Sequence, residues 1–208
     1  VSTGFKSGGI TTDLLPDGQY DSFGPENLTA FELGVKSRSA DRRLTFNGSA
    51  FYYDFRDLQV ATTMFTDEGL ITDVQNAAKA EVYGLDLDGS FAISDSLTLS
   101  SGVVWLPKRE FVEFWNDPGS DPLTGNDLIR APEWSGTAAI SYEVPWQGYG
   151  IFSARLEYNY RSQVFFTKEN SPLFEQKGFG LLNVFLRFEN SSRKWYVFAT
   201  GRNLTDQP

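Results

Sequence analysis

The chain has 208 residues and a net charge of −9, which disfavours nucleic acid as a partner because phosphate binding needs a basic face. It contains neither cysteine nor histidine, which excludes disulfides, thiolate chemistry and sulfur metal sites and removes the commonest general base and metal ligand. We therefore expect a protein that is not an enzyme and that carries no cofactor and no metal centre.

The distribution of apolar residues favours strands over helices. No window has the uninterrupted apolar length of a transmembrane helix, whereas 19 Gly, 18 Phe, 9 Tyr and 5 Trp suit turns, strands and aromatic girdles. The first residues, VSTGFKSGG, have neither the basic nor the apolar region of a signal peptide. An exported protein needs that signal, so we expect this chain to be a fragment of a longer one.

The most informative stretch follows a short strand near residues 1–5 and a Gly-, Pro- and Asp-rich loop over 6–27. Residues 28–60 form a predicted hairpin whose arms alternate strictly, with Phe31, Leu33 and Val35 on one face of the first arm. The second arm continues this alternation past Asp54, about twice the ordinary strand length of roughly 5 to 6 residues. A strand that crosses a bilayer needs roughly 9 to 11 residues, so the pattern predicts a membrane-spanning hairpin.

The remaining segments repeat the same alternation of apolar and polar residues. We expect a loop near 64–73, a long polar segment at 107–132, tight turns at 94–96, 145–148 and 190–192, and strands over 74–92, 97–106, 134–144, 150–166, 178–189 and 194–204.

The predicted connections alternate between short and long. Short turns on one side and long loops on the other are typical of an outer-membrane barrel, with the short turns in the periplasm. We count about nine strands, and an open sheet of this size with one apolar face would leave two unpaired edges. The sequence therefore predicts an all-β fold, an antiparallel transmembrane β-barrel segment that belongs to a larger barrel.

Five segments, in this order, resemble the C-terminal barrel portion of a TonB-dependent outer-membrane receptor of the iron-siderophore type. They are GFKSGG at Gly4–Gly9, PENLTAFELGVKS at Pro25–Ser37, FYYDFRDLQV at Phe51–Val60, NAAKAEVYGLDLDGSF at Asn76–Phe91, and Trp195 followed by GRNLTD at Gly201–Asp206.

This resemblance implies a 22-stranded barrel filled by an N-terminal plug, in contact with the lipid of a bacterial outer membrane. It also implies energy-coupled uptake of a ferric siderophore or another scarce, large ligand, driven by a TonB complex that acts through the N-terminal part. The sequence shows no plug, no TonB-box-like stretch and no closing aromatic strand after Pro208. We therefore expect residues 1–208 to be a partial barrel domain that neither transports nor couples energy alone.

Two groups of residues are candidate sites. Aromatic and cationic side chains near the bases of the long loops could hold an anionic ferric chelate by stacking and charge, although girdle or loop packing is the better explanation for any one of them. These are Trp115, Arg130, Phe165, Phe166 and Lys168. Polar residues on the inward face could line a channel or touch the plug, or could form a structural network of cross-strand pairs. These are Arg155, Glu157, Arg161, Asn183, Arg187 and Glu189.

Other motifs and other functions are weaker. The acidic stretch 116–127 has the oxygen-rich composition of a calcium site without EF-hand spacing, and a solvated loop explains it better. The N-x-S/T sequons at Asn27, Asn47, Asn190 and Asn203 are chance matches. A passive porin-like channel and a soluble β-sandwich binding module remain as alternatives, and the sandwich would require the apolar face of Phe152–Tyr160 to be covered by a second sheet.

Overall fold

The computed structural model describes residues 1–11, 20–66, 69–114 and 123–207. Within these ranges the chain forms strands and one short 3-10 helix at Pro172–Phe174. The strands are β1 (Ser2–Lys6), β2 (Gly9–Ile10), β3 (Ser22–Phe23), β4 (Glu26–Arg38), β5 (Leu44–Thr66), β6 (Gly69–Ala92), β7 (Leu97–Phe114), β8 (Trp134–Trp146), β9 (Gly150–Arg161), β10 (Val164–Phe165), β11 (Glu175–Gln176), β12 (Phe179–Asn190) and β13 (Tyr196–Gly201). Among the described residues, no helix is both long and apolar enough to cross a membrane.

Nine of these strands form one antiparallel sheet, which confirms the predicted fold. Its order is β1-β4-β5-β6-β7-β8-β9-β12-β13, so strands that follow one another along the chain also lie side by side. The four short strands form two separate pairs, β2 with β3 and β10 with β11. Every long strand is therefore joined to its neighbour by a hairpin connection, as in an up-and-down barrel wall.

The registers place the apolar residues of eight strands on one face. Leu33 lies opposite Ala50, which lies opposite Leu85, and the same row continues through Trp105 to Trp134. Because side chains alternate along a strand, polar residues such as Asp86, Thr137 and Arg155 occupy the other face. The sheet thus has one apolar and one polar face over most of its width.

The apolar face is not covered by any other layer of the described structure. Leu156, Tyr158 and Tyr160 are each 44% exposed, and Leu33 is 80% exposed. A soluble β-sandwich would bury these side chains against a second sheet, so the uncovered face argues against that alternative. The apolar face of the sheet has the composition of a surface that faces lipid.

Aromatic side chains border the apolar face at both ends. At the end that carries the long connections, the rings of Trp105 and Trp134 stack with their centroids 5.3 Å apart. At the end of the short turns, Tyr149, Trp146, Phe188 and Trp195 form a chain of ring contacts with centroids 5.7, 6.0 and 5.8 Å apart. Two such belts are characteristic of barrels at the two membrane interfaces.

Two of the predicted loop boundaries are wrong. Most of the loop expected at 64–73 is strand, because β5 and β6 stay paired as far as Thr66 and Gly69; residues 67–68 lie outside the described residues. The first part of the polar segment expected at 107–132 is also strand, since β7 runs on to Phe114. In both places the strands extend beyond the membrane-sized part, where no apolar face is needed. Residues 12–19, part of the expected first loop, and 115–122 lie outside the described residues.

Candidate functional site

A cavity lies on the polar face at the end that carries the long connections. Phe55 lies opposite Ala80, and Ala80 lies opposite Phe111, so these three side chains share the face of the polar residues further along the sheet. Ala80 is fully buried and Phe111 is 4% exposed. The cavity has a volume of about 720 Å³, and we call it the loop-base cavity; its walls include Phe55, Leu58, Phe111, Leu128, Phe166 and Lys168.

A β-bulge in β5 turns side chains of that strand toward this cavity. The pairing of β5 with β6 shifts between Phe55 and Leu58, and Asp57 inside the bulge has a positive φ of 55°. The Asn76 side chain donates to the Asp57 carbonyl at 2.7 Å, and the backbone N–H of Gln59 donates to Glu26 Oε2 at 3.1 Å. A bulge re-aims the side chains that follow it, which explains how Leu58 comes to line the cavity beside Phe55.

The roof of the cavity is made by two connections that bind one another. The side chain of Asn170 accepts a hydrogen bond from the backbone N–H of Asp127 at 2.7 Å and donates one to the Asp127 carbonyl at 3.0 Å. Asn126 donates to the Lys168 carbonyl at 2.9 Å, and the backbone N–H of Arg130 donates to the Phe165 carbonyl at 2.9 Å. We refer to these contacts between residues 126–130 and 165–170 as the loop latch.

Arg109 anchors the latch to the sheet. Its guanidinium contacts the carboxylate of Asp127 at 2.9 Å and donates to the carbonyls of Ala131 and Leu106 at 2.9 and 3.2 Å. The Arg109 side chain is only 12% exposed. Burial raises the pKa of Asp127 above its ordinary value, while the charge of Arg109 opposes the shift. The ion pair therefore offsets part of the cost of holding a carboxylate beneath the loops.

Four of the five predicted ligand residues fall in this region. The Arg130 guanidinium lies 6.0 Å from the centroid of the Phe166 ring, and Lys168 Nζ lies 5.8 Å from that of Phe114. Phe166 and Lys168 line the cavity, whereas Phe165 contributes its carbonyl to the latch. Trp115 lies outside the described residues, as do residues 116–122 of the acidic stretch that was considered for calcium.

The sequence interpretation missed the other walls of the cavity. Phe55 and Phe111, which line the cavity, were not singled out, nor was Phe114, whose ring meets that of Phe111 edge to face with centroids 5.2 Å apart. Phe111 lies in the segment that was read as polar loop. Arg109 and Phe111 have the parity of Trp105, so unbroken alternation would place them on the apolar face. The register shift between Tyr83 and Leu85 reverses the parity of β7 and turns both residues inward, and no pattern in the sequence marks that shift.

The six predicted lumen residues all lie on the polar face. Arg155 donates to Glu157 Oε2 through Nε at 3.1 Å and through a terminal nitrogen at 2.9 Å, and Asn159 donates to Glu157 Oε1 at 3.0 Å. Arg187 pairs with Glu189 at 2.6 Å. Both ion pairs join residues two positions apart on one strand, and Arg155 also donates across the sheet to Ser141 Oγ of β8 at 3.1 Å.

The other two lumen residues have different partners. Asn183 accepts a hydrogen bond from the backbone N–H of Asn203 at 3.0 Å, which fixes the chain after β13. The Arg161 guanidinium lies 5.2 Å from the centroid of the Phe179 ring. Each predicted lumen residue therefore has a structural partner, and this group is separate from the loop-base cavity.

The described residues contain no cluster of three or more His, Cys, Asp or Glu that could hold a metal ion. The loop-base cavity instead combines aromatic walls with Lys168 and Glu169 in its lining, and the Arg130 cation lies against the Phe166 ring. Such a site can retain a rigid, partly aromatic anion by stacking and charge.

Comparisons with known proteins identify the same architecture. A family model described as TonB dependent receptor-like, beta-barrel matches residues 1–204. The ferric yersiniabactin uptake receptor FyuA from Yersinia pestis superimposes with a TM-score of 0.76 at 20% identity, over 99% of this chain and 29% of the receptor. BauA, the ferric preacinetobactin receptor from Acinetobacter baumannii, superimposes with a TM-score of 0.70 at 17% identity, over 99% of this chain and 29% of the receptor.

A further match has a different cargo in its name. The copper transporter OprC superimposes with a TM-score of 0.64 at 16% identity, over 88% of this chain and 26% of the transporter. This chain spans less than a third of the length of each of these three proteins. At such identities the superpositions demonstrate a shared fold and leave the ligand open.

Proposed function

The chain belongs to the TonB-dependent receptor-like β-barrel family, and on that premise we propose that it forms part of an outer-membrane barrel that takes up a ferric siderophore or a similar iron complex. Residues 1–208 would then be one section of a larger barrel wall around a plug. Energy would come from a TonB complex that contacts the receptor outside these residues.

The loop-base cavity carries this proposal. It opens on the polar face at the long-loop end, its walls include three phenylalanine rings, and the cations of Arg130 and Lys168 lie beside two aromatic rings. An iron chelate with aromatic donor groups and a negative charge fits such a lining, because ring faces contribute stacking and the cations contribute charge in a partly desolvated site. The names of FyuA and BauA, which both refer to ferric chelates, agree with this ligand class.

Binding of defined iron chelates to the full-length receptor tests the ligand. Ferric yersiniabactin and ferric preacinetobactin would be titrated against the purified receptor in detergent, with tryptophan fluorescence as the readout. We expect at least one of them to bind, and we expect the Phe166→Ala and Lys168→Gln variants to weaken that binding by about tenfold, or about 1.4 kcal/mol. Leu173→Ala is the matched control, because Leu173 lies in the same connection and is 87% exposed.

Two results would contradict the ligand assignment. One is failure of both chelates to bind at concentrations up to about 0.1 mM. This concentration is about tenfold below the millimolar concentrations at which weak ligands bind. The other is equal weakening by Leu173→Ala and by the two cavity variants, which would remove the cavity from the binding site.

A transport assay separates the receptor from the passive-channel alternative. Uptake of radioactive iron with the bound chelate would be measured in cells before and after the proton-motive force is collapsed. An energy-coupled receptor loses uptake at once, whereas a passive channel continues to equilibrate the chelate. Continued uptake would exclude coupling to a TonB complex.

A further inference from the structure

The two ends of the sheet differ in charge. The described turns at the short-turn end, with the strand residues that border them, carry five basic side chains, Arg38, Arg42, Arg43, Arg193 and Lys194, against the two acids Asp41 and Asp95. The whole chain has a net charge of −9. This end therefore carries a local excess of positive charge in an acidic protein.

Most of these cations have no partner among the described residues. Arg38, Arg42, Arg193 and Lys194 are exposed, and their side chains make no ion pair or hydrogen bond with other described residues. Asp41 is held by Ser39 and by the backbone N–H of Arg43 instead. Four full charges thus project from this end, where a partner of opposite charge would meet them.

The position of these cations relative to the apolar face points to the nature of that partner. Arg43 lies 5.8 Å from the centroid of the Phe91 ring and donates to the Ala92 carbonyl at 2.9 Å. Arg193 and Lys194 immediately precede Trp195, the last ring in the aromatic chain that begins at Tyr149. Both basic turns therefore adjoin an aromatic belt, and such belts sit at the level of lipid headgroups.

We propose that the two basic turns, 38–43 and 193–194, bind the phosphate groups of anionic phospholipids in the leaflet on the short-turn side. The rings at the membrane interface place the cations at headgroup depth, and each Lys or Arg near an anionic surface attracts it within about one Debye length. The site depends on the position of the barrel in a membrane and not on the transported ligand. It would hold annular lipid and orient the receptor.

Native mass spectrometry of the full-length receptor tests this site. The receptor in detergent would be titrated with dioleoylphosphatidylglycerol and, separately, with zwitterionic dioleoylphosphatidylcholine. We expect preferential retention of the anionic lipid, and we expect Arg42→Gln and the double variant Arg193→Gln/Lys194→Gln to lower this preference by about fivefold for each cation removed, which corresponds to about 1 kcal/mol.

The matched control is Arg56→Gln at the opposite end of the sheet, where Arg56 is exposed and pairs with Asp54. It makes the same change in net charge as Arg42→Gln, so a loss of lipid preference equal to that of Arg42→Gln would overturn the proposal. No preference in the unchanged receptor would also overturn it. A third result would also overturn it: a soluble poly-glutamate peptide binds through the same cations, and the receptor shows no lipid preference. The turns would then bind an acidic protein segment and not a lipid.

Two controls separate lipid binding from misfolding of the variants and from failure of the ligand assignment. The substituted side chains are exposed in turns, and heat-dependent gel mobility would verify that each barrel is folded. Binding of the iron chelate, measured on the same samples, should be unchanged in all three variants.

Discussion

Asn170 holds both backbone groups of Asp127, with its side-chain oxygen 2.7 Å from the Asp127 nitrogen and its side-chain nitrogen 3.0 Å from the Asp127 carbonyl oxygen. A single amide thereby mimics a strand partner and joins two connections 43 residues apart in sequence. Asn170 has a φ of 50°, a conformation that asparagine and glycine tolerate better than other residues. This one side chain therefore supplies two of the four hydrogen bonds that define the loop latch.

Asn170→Gly should open the loop latch without straining the backbone, since glycine accepts the same positive φ. The loss of two hydrogen bonds should cost roughly 1–3 kcal/mol of local stability. Hydrogen exchange at the Asp127 amide should accelerate about 5- to 100-fold, as measured by mass spectrometry on the receptor in detergent. Asn170→Asp is the control, because it keeps the acceptor for the Asp127 N–H and should lose less protection. Unchanged exchange in the glycine variant would show that the latch lies elsewhere.

Arg109→Gln should make the stability of the latch more sensitive to pH. Burial raises the pKa of Asp127 and the Arg109 charge opposes that shift, so removal of the charge should raise the pKa further. A carboxyl whose folded pKa exceeds its unfolded value stabilises the fold at low pH and loses this contribution as the pH rises through the folded pKa. The variant latch should therefore exchange amide hydrogen faster at pH 7 than at pH 4, after correction for the intrinsic rate.

The double variant Arg109→Gln/Asp127→Asn provides the control for that pH dependence. With no carboxyl to ionise at position 127, the local stability of the latch should become independent of pH between 4 and 7, a range set roughly by the ordinary carboxyl pKa. A dependence that persists in the double variant would assign the titration to another group. Both side chains are partly exposed, at 12% and 31%, so the pair contributes less than a fully buried one would.

The sequence predicted the wall of the barrel well and the loops above it poorly, for different physical reasons. Along the apolar face the side chains alternate strictly, so Phe31, Leu33 and Val35 mark strand, face and register together. Beyond that face, β5 and β6 stay paired as far as Thr66 and Gly69, because backbone pairing alone sustains a hairpin there. The contact of Asn170 with Asp127 follows from no periodicity at all, since it depends on how two connections fold over one another.

Gly180 should be intolerant of any side chain. A Cβ at this position would lie 2.0 Å from the Tyr158 hydroxyl oxygen and 2.4 Å from the adjoining ring carbon, because the ring of Tyr158 lies across the glycine. Gly180→Ala must displace that ring, which should cost roughly 1–3 kcal/mol and lower the temperature of heat-induced unfolding. Gly102→Ala is the matched control, since its Cβ would meet nothing closer than 3.9 Å. Equal effects of the two substitutions would mean that loss of glycine flexibility, and not the tyrosine, sets the cost.

Glu157→Gln should affect the stability of the barrel and leave ligand affinity unchanged. The Glu157 carboxylate accepts from Arg155 and Asn159, and the neutral amide of the variant would keep some hydrogen bonding while it leaves the Arg155 charge unpaired. The Arg155 and Glu157 side chains are 39% and 22% exposed, so water screens the pair and the loss should stay below about 1 kcal/mol. Heat-induced unfolding of the receptor would measure this loss, and chelate titration of the same sample should give an affinity within twofold of the unchanged protein.

Phe166→Ala should show the reverse pattern, with weakened chelate binding and little change in unfolding temperature, because Phe166 is 45% exposed at the cavity margin. A Glu157→Gln variant that binds the chelate tenfold more weakly would instead place the ligand, or a segment that contacts it, against the polar face of β9.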